Sequence, residues 1–364
     1  MERHAPFWSR WKDLLLRELR DLVAVRRSDR PWEMPMAAAL CSGLPIFIAA
    51  WYGNLALGLA ATLGGQVFLY LPATRLSHRM AWLMACAFGM AGSYALGILT
   101  HVFPPLALPV LVLITIVVTM ICRFYGVPPP GSLFFVMAAA IAAYTPAGDE
   151  ALVRVGALTM GCLLAVAIAF VYSLYIVGRR GVPQPPPVHQ PDFDYVVLDS
   201  VVIGGFVGLS LLIAHALQVE RPYWVPVTCL AILQGVSIRA VWLRQLHRIA
   251  GTAVGLLVFV AIAKWPLNAW GVAAVLTMLT FVIETLVVRH YGLATVCITP
   301  LTIPLADAAH TPMLTDAQSV MQARLVDTVI GAVVGLVGGA CLHLPRFRAA
   351  VRAGLRRVLP VNDA

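Results

Sequence analysis

RFYG at residues 123–126 recurs as RHYG at residues 289–292, 166 positions later. Thr145-Pro146 and Thr311-Pro312 keep the same offset, and so do Thr62 and Thr228. Arg75 and Arg79 match Arg244 and Arg248 at an offset of 169, and Arg154 and Gly161 match Arg324 and Gly331 at 170. Three nearly equal offsets, met in chain order, mark an internal duplication with small loop insertions. Between the copies lies RRGVPQPPPVHQPDFDY, residues 179–195. Such a Pro-rich stretch favours extended backbone and does not continue a helix. The chain therefore divides into an N-terminal segment 1–35, a first repeat 36–178, the linker 179–195, a second repeat 196–343 and a basic tail 344–364.

Each repeat is a membrane unit. Hydrophobic residues make up 60% of the chain and charged residues 12%, and the mean hydropathy is +0.84. A soluble domain carries about twice that share of charge. Apolar runs fall at 36–52, 54–72, 80–100, 106–122, 131–144, 154–177, 196–217, 222–238, 249–263, 269–288, 290–306 and 320–342. Most are long enough for a hydrocarbon core of about 30 Å. The expected fold is an all-α polytopic membrane protein of about twelve transmembrane helices. Six spans per repeat is an even number, so both repeats start on the same side and are parallel, related by an axis along the membrane normal.

The charge follows the membrane rather than a polyanion. Of the 26 Lys and Arg, only Arg154, Arg221, Lys264 and Arg324 fall on the outer side once the N-terminus is placed in the cytosol. That asymmetry sets both termini and the linker inside, and it leaves no reason to invoke nucleic acid. In residues 1–30, Trp8, Trp11, Leu15, Leu19 and Leu22 recur at helical spacing among basic residues, the pattern of an amphipathic helix on the inner leaflet. No short apolar core with a cleavage site precedes it, so no signal peptide is expected. No P-loop, HExxH or nucleophile elbow is present, and the chain reads as a non-enzyme. The seven Cys all lie inside apolar runs without ligand spacing, so no metal or cofactor is expected.

Polar residues inside or beside the spans are the candidate site. Arg244 and Arg248 share a helical face, and Arg75 and Arg79 sit at the matching place in the first repeat. With Arg239 they form the expected cytosolic capture site for an organic anion, because guanidinium binds carboxylate in bidentate fashion. A basic loop that only fixes topology reads the same way. Glu284 is the one acidic residue well inside an apolar run, which marks either a proton carrier or an ion pair with Arg244 or Arg248. Arg324 and Asp327, three apart, are a candidate same-helix pair. Gly251 with Gly255, and Gly331 with Gly335, have the spacing of helix-packing seams. A smooth substrate groove is the other reading of Gly251 and Gly255. Tyr223, Trp224 and Trp270 fit an interfacial aromatic belt, with stacking on an aromatic substrate as the alternative.

The stretch YWVPVTCLAILQGVSIRAVWLRQLHRIAGTAVG, 223–255, resembles the fusaric acid resistance or aromatic acid exporter family. Trp224, Thr228, Gln234, Arg239, Arg244, Arg248, Gly251, Thr252 and Gly255 carry the resemblance. ARLVDTVIGAVVG at 323–335 adds Arg324, Asp327, Thr328, Gly331 and Gly335, and Tyr291-Gly292 lies between. The plant aluminium-activated malate transporters are distant relatives of that family. The resemblance implies an inner-membrane exporter of small organic anions, with aromatic carboxylic acids as the expected cargo. On the reading of the residues, Arg75, Arg79, Arg239, Arg244, Arg248, Thr228, Trp224 and Tyr291 are expected to bind the cargo and Glu284 to couple it to protons. It also implies a periplasmic adaptor and an outer-membrane channel as partners. A passive anion channel and a non-transporting component of envelope biogenesis are the other readings.

Overall fold

The computed structural model describes residues 20, 23–28, 30–145, 148–181, 193–307 and 317–358. The N-terminal amphipathic pattern, most of the Pro-rich linker, Pro146 and Thr311-Pro312 lie outside the described residues. Among those described, every regular element is helical. We label them α1 (Glu33–Trp51), α2 (Leu55–Gly65), α3 (Leu76–Leu99), α4 (Ala107–Phe124), α5 (Leu133–Tyr144), α6 (Ala151–Arg180), α7 (Phe193–Ala216), α8 (Trp224–Leu233), α9 (Ile238–Ala263), α10 (Ala269–Leu286), α11 (Tyr291–Asp307), α12 (Ala317–His343) and α13 (Pro345–Val358).

Eight of these are long and apolar enough to cross a membrane: α1, α3, α4, α6, α7, α9, α10 and α12. The chain is a multi-pass membrane protein. α2, α5, α8 and α11 are shorter apolar helices. α8 has 10 residues, all buried, and at about 1.5 Å per residue it covers about half the hydrocarbon thickness. A helix apolar on every side belongs inside a bundle. The longer helices surround the short ones and present their own apolar faces outward.

Several elements differ from the apolar runs that predict them, among them α8, which ends at Leu233 inside the run 222–238. The run 54–72 is not one helix: α2 stops at Gly65 and the chain tightens into a 3-10 turn, Gln66–Tyr70. The run 249–263 is the end of a longer helix. α9 begins at Ile238, where the Ser237 hydroxyl accepts a hydrogen bond from the Ala240 amide at 3.2 Å. Its first turns contain Arg239, Arg244, Gln245 and Arg248, which break hydropathy but are good helix formers.

Packing contacts come in matching sets. α2 packs on α6 and α8 packs on α12; α3 packs on α5 and α9 packs on α11; α1 lies against α10 and α4 against α7. Close approach at these seams uses glycine. A Cβ on Gly331 would lie 2.5 Å from the Val225 carbonyl oxygen, and one on Gly335 would lie 3.0 Å from that of Cys229. A Cβ on Gly161 would strike the Ala61 carbonyl in the corresponding α2–α6 seam. Gly251 and Gly255 are filled by α11: their added Cβ atoms would meet Thr295 at 2.7 Å and the Val296 carbonyl oxygen at 2.6 Å. Pro300 lacks the N–H that would bond the Val296 carbonyl within α11, so that oxygen faces the glycine instead.

Candidate functional site

The arginines expected at one cytosolic mouth differ in burial and in partners. Arg75 is exposed at the start of α3. Arg79, one turn later, is buried, and its Nε donates to the Thr74 carbonyl at 2.7 Å. Arg239 is exposed at the start of α9. Arg244 is half-buried, donates from Nη1 to the Ala231 carbonyl at 3.2 Å, and holds its guanidinium 5.5 Å from the centre of the Tyr291 ring. Arg248 is 6% exposed. Among the described residues, no hydrogen bond, ion pair or ring contact joins Arg75 or Arg79 to Arg244 or Arg248.

A different set of residues comes together inside the second half. Trp224 and Thr228 are one turn apart on α8. Arg324, Asp327 and Gly331 share a face of α12, and the two faces meet where Thr228 packs on Gly331. The Arg324 guanidinium lies 3.7 Å from the centre of the Trp224 ring, and its Nη2 donates to the Thr302 hydroxyl of α11 at 2.9 Å. Arg324 is 1% exposed and Asp327 0%. Arg248 of α9 is near enough to Arg324 for the two like charges to repel. The Trp224 indole Nε1, the Thr228 hydroxyl, Arg248 Nε, Arg324 Nε and Nη1, and both Asp327 carboxylate oxygens have no hydrogen-bond partner.

That arrangement corrects one expectation. Among the described residues, no ion pair joins Arg324 to Asp327, although their spacing allows one. The guanidinium instead lies on an aromatic face, where a cation is held by the ring quadrupole in a dry environment, and donates its hydrogen bond to Thr302 of α11.

Glu284 is also paired differently. Its carboxylate accepts from Arg30 Nη1 at 3.1 Å, and the same nitrogen is 3.2 Å from its backbone carbonyl oxygen. Arg244 and Arg248 are not its partners. The segment before α1 runs back along the end of α10, where the Arg26 amide donates to the Arg289 carbonyl at 2.9 Å, and this brings Arg30 to Glu284. Two further ion-pair sites between separate helices were absent from the sequence reading. Buried Asp199 of α7 is paired with Arg123 of α4 at 2.6 Å and with Arg348 of α13 at 3.2 Å. Arg348 also lies 4.1 Å over the Tyr195 ring. Glu33 of α1 is 3.8 Å from Arg180 of α6. The available signal was a near-equal offset: Glu33 and Asp199 are 166 apart, and Arg180 and Arg348 are 168 apart.

Residues 209–338 match the family described as fusaric acid resistance protein-like. The matched segment contains α8 to α11 whole, most of α12, and every residue of the buried cluster. The chain is 29% identical over 174 residues to "Uncharacterized membrane protein YvaC" of Bacillus subtilis (strain 168). That similarity covers 47% of this chain and 28% of the relative, so the chain spans less than a third of that protein's length. No solved structure matches.

Proposed function

We propose that this multi-pass membrane protein exports small organic anions, with aromatic carboxylates as the cargo class. One observation carries the reading. Two guanidiniums, Arg248 and Arg324, are buried within an apolar helical body and keep N–H groups without partners. Charge in such a place is costly and marks a pathway for ions or substrate, and guanidinium is the side chain best matched to carboxylate. The match of residues 209–338 to the fusaric acid resistance-like family agrees with that chemistry.

The proposal includes a topology. Twelve helices form two parallel six-helix units around a pseudo-twofold axis, with the short helices spanning by virtue of their burial among longer ones. The paired packing contacts and the paired ion-pair sites, Glu33–Arg180 and Asp199–Arg348, support this. The basic asymmetry supports an inner membrane with both termini cytosolic. Proton coupling runs through Glu284, whose carboxylate trades Arg30 for a proton. A periplasmic adaptor and an outer-membrane channel complete the route.

The test is flux of radiolabelled benzoate in proteoliposomes, with and without a pH gradient. Saturable flux that responds to the gradient is expected, and Glu284→Gln should remove the response while leaving exchange. Flux that follows membrane potential alone would establish a passive channel instead. Absence of flux for benzoate, salicylate and malate alike would remove the transport reading.

A further inference from the structure

The two halves treat equivalent positions in opposite ways. At offsets of 166 and 170, Gly58, Thr62, Arg154 and Ala157 stand where the second half has Trp224, Thr228, Arg324 and Asp327. In the first half the Thr62 hydroxyl donates to the Ser42 carbonyl at 2.8 Å. Arg154 reaches the exposed Glu150 at 3.4 Å, and no aromatic ring or carboxylate occupies the other two positions. In the second half the Thr228 hydroxyl has no partner and Arg324 is fully enclosed with two free nitrogens. Buried polar groups in native proteins are satisfied, and an unsatisfied group calls for a specific occupant.

The chemistry of that occupant follows from the atoms. Five of the unpartnered atoms are donors: Trp224 Nε1, Thr228 Oγ1, Arg248 Nε, and Arg324 Nε and Nη1. Among the described residues of the cluster, Asp327 is the only acid, against the guanidiniums of Arg248 and Arg324. Glu220 and Arg221 both act on Asp327, with opposite charges. A surplus of donors with one net positive charge fits a monoanion that accepts hydrogen bonds.

We propose that each chain binds one organic monocarboxylate in its second half, where α8, α9, α11 and α12 meet, with Arg324 and Arg248 facing the carboxylate and the Trp224 indole N–H and Thr228 hydroxyl as further donors. This deepens the transport reading and rests on it for the ligand being cargo. The first half, which has no aromatic ring or carboxylate at the matching positions, holds no second site. Asp327 stands beside the ligand as a competing anion and keeps the site from holding its guest too tightly for release.

The test is binding of radiolabelled benzoate to the full chain in lipid nanodiscs, with benzyl alcohol as uncharged competitor. One benzoate per chain is expected, undisturbed by benzyl alcohol. Arg324→Gln should weaken affinity by about 10- to 150-fold, the range for one charge-assisted contact. Trp224→Phe, which keeps the ring and removes the N–H, should weaken it by about fivefold. Asp327→Asn should tighten it by roughly 3- to 10-fold, and Arg154→Gln should leave it unchanged. If Arg324→Gln does not fold, Trp224→Phe and Asp327→Asn decide. Wild-type affinity in folded Arg324→Gln or in both of the other variants overturns the site while leaving transport standing. Binding that depends on Arg324 without any flux would sink transport and keep the site, whereas no binding by the wild-type chain overturns both.

Discussion

Glycine at 255 is required by the Val296 carbonyl and the Thr299 side chain, which an added Cβ would meet at 2.6 and 2.7 Å. Pro300 frees that carbonyl from the helical ladder of α11. Backbone yields less than a flexible side chain, so Gly255→Ala should cost about 1–3 kcal/mol, the usual penalty of overpacking. Gly156 and Gly178 are also helical, but nothing lies within 4 Å of a Cβ at either. Gly156→Ala should therefore be neutral or slightly stabilising, since alanine is the better helix former. Melting temperatures in detergent separate the two cases, and equal values for Gly255→Ala and the wild type would remove the tight seam. The same residue scale explains why Arg324 is informative and Arg244 less so. Arg244 has a carbonyl and a ring to hold it. Arg324 has one hydroxyl and a ring, with two nitrogens left over.

Among the elements, α13 depends most clearly on a distant residue. It follows α12 after Leu344 and is rich in arginine, so its sequence suits the membrane surface. Phe347 and Val351 pack against the apolar core, and Arg348 reaches Asp199. Asp199→Asn removes the charge that holds Arg348 without altering α13 itself. A partly exposed pair of this kind is worth about 1–2 kcal/mol, so the undocked population should rise roughly 5- to 30-fold. Tryptic cleavage within 345–358, measured at low protease, should accelerate by the same factor. Unchanged cleavage would show that Phe347 and Val351 dock the helix alone. α9 makes the complementary point. Its apolar part is legible as a span, yet its first ten residues are as helical as the rest and carry Arg248 to its buried position.

For the whole molecule, the proposed topology puts the turns at Gly53 and Gly148 outside and those at Gly126 and Gly181 inside. Single cysteines at these positions on a Cys-free background should react with an impermeant maleimide from opposite sides, and labelling of position 181 from the periplasm would end the twelve-crossing arrangement. Membrane class and helical content were determined by the sequence alone. Apolar runs have few alternatives in a lipid-facing chain, because every backbone polar group must be bonded internally. Equal offsets such as Arg123 to Arg289 survive whatever the packing does. The ends of α2 and α9 were less legible, since hydropathy stops where polarity begins and a helix need not. The partners of buried charges were decided only by the tertiary structure. Spacing allowed Glu284 to meet Arg244 and Arg324 to meet Asp327, but the fold brought Arg30 to the first and Trp224 to the second. A long side chain reaches any of several groups within about 6 Å, and which of them is there depends on how separate helices cross.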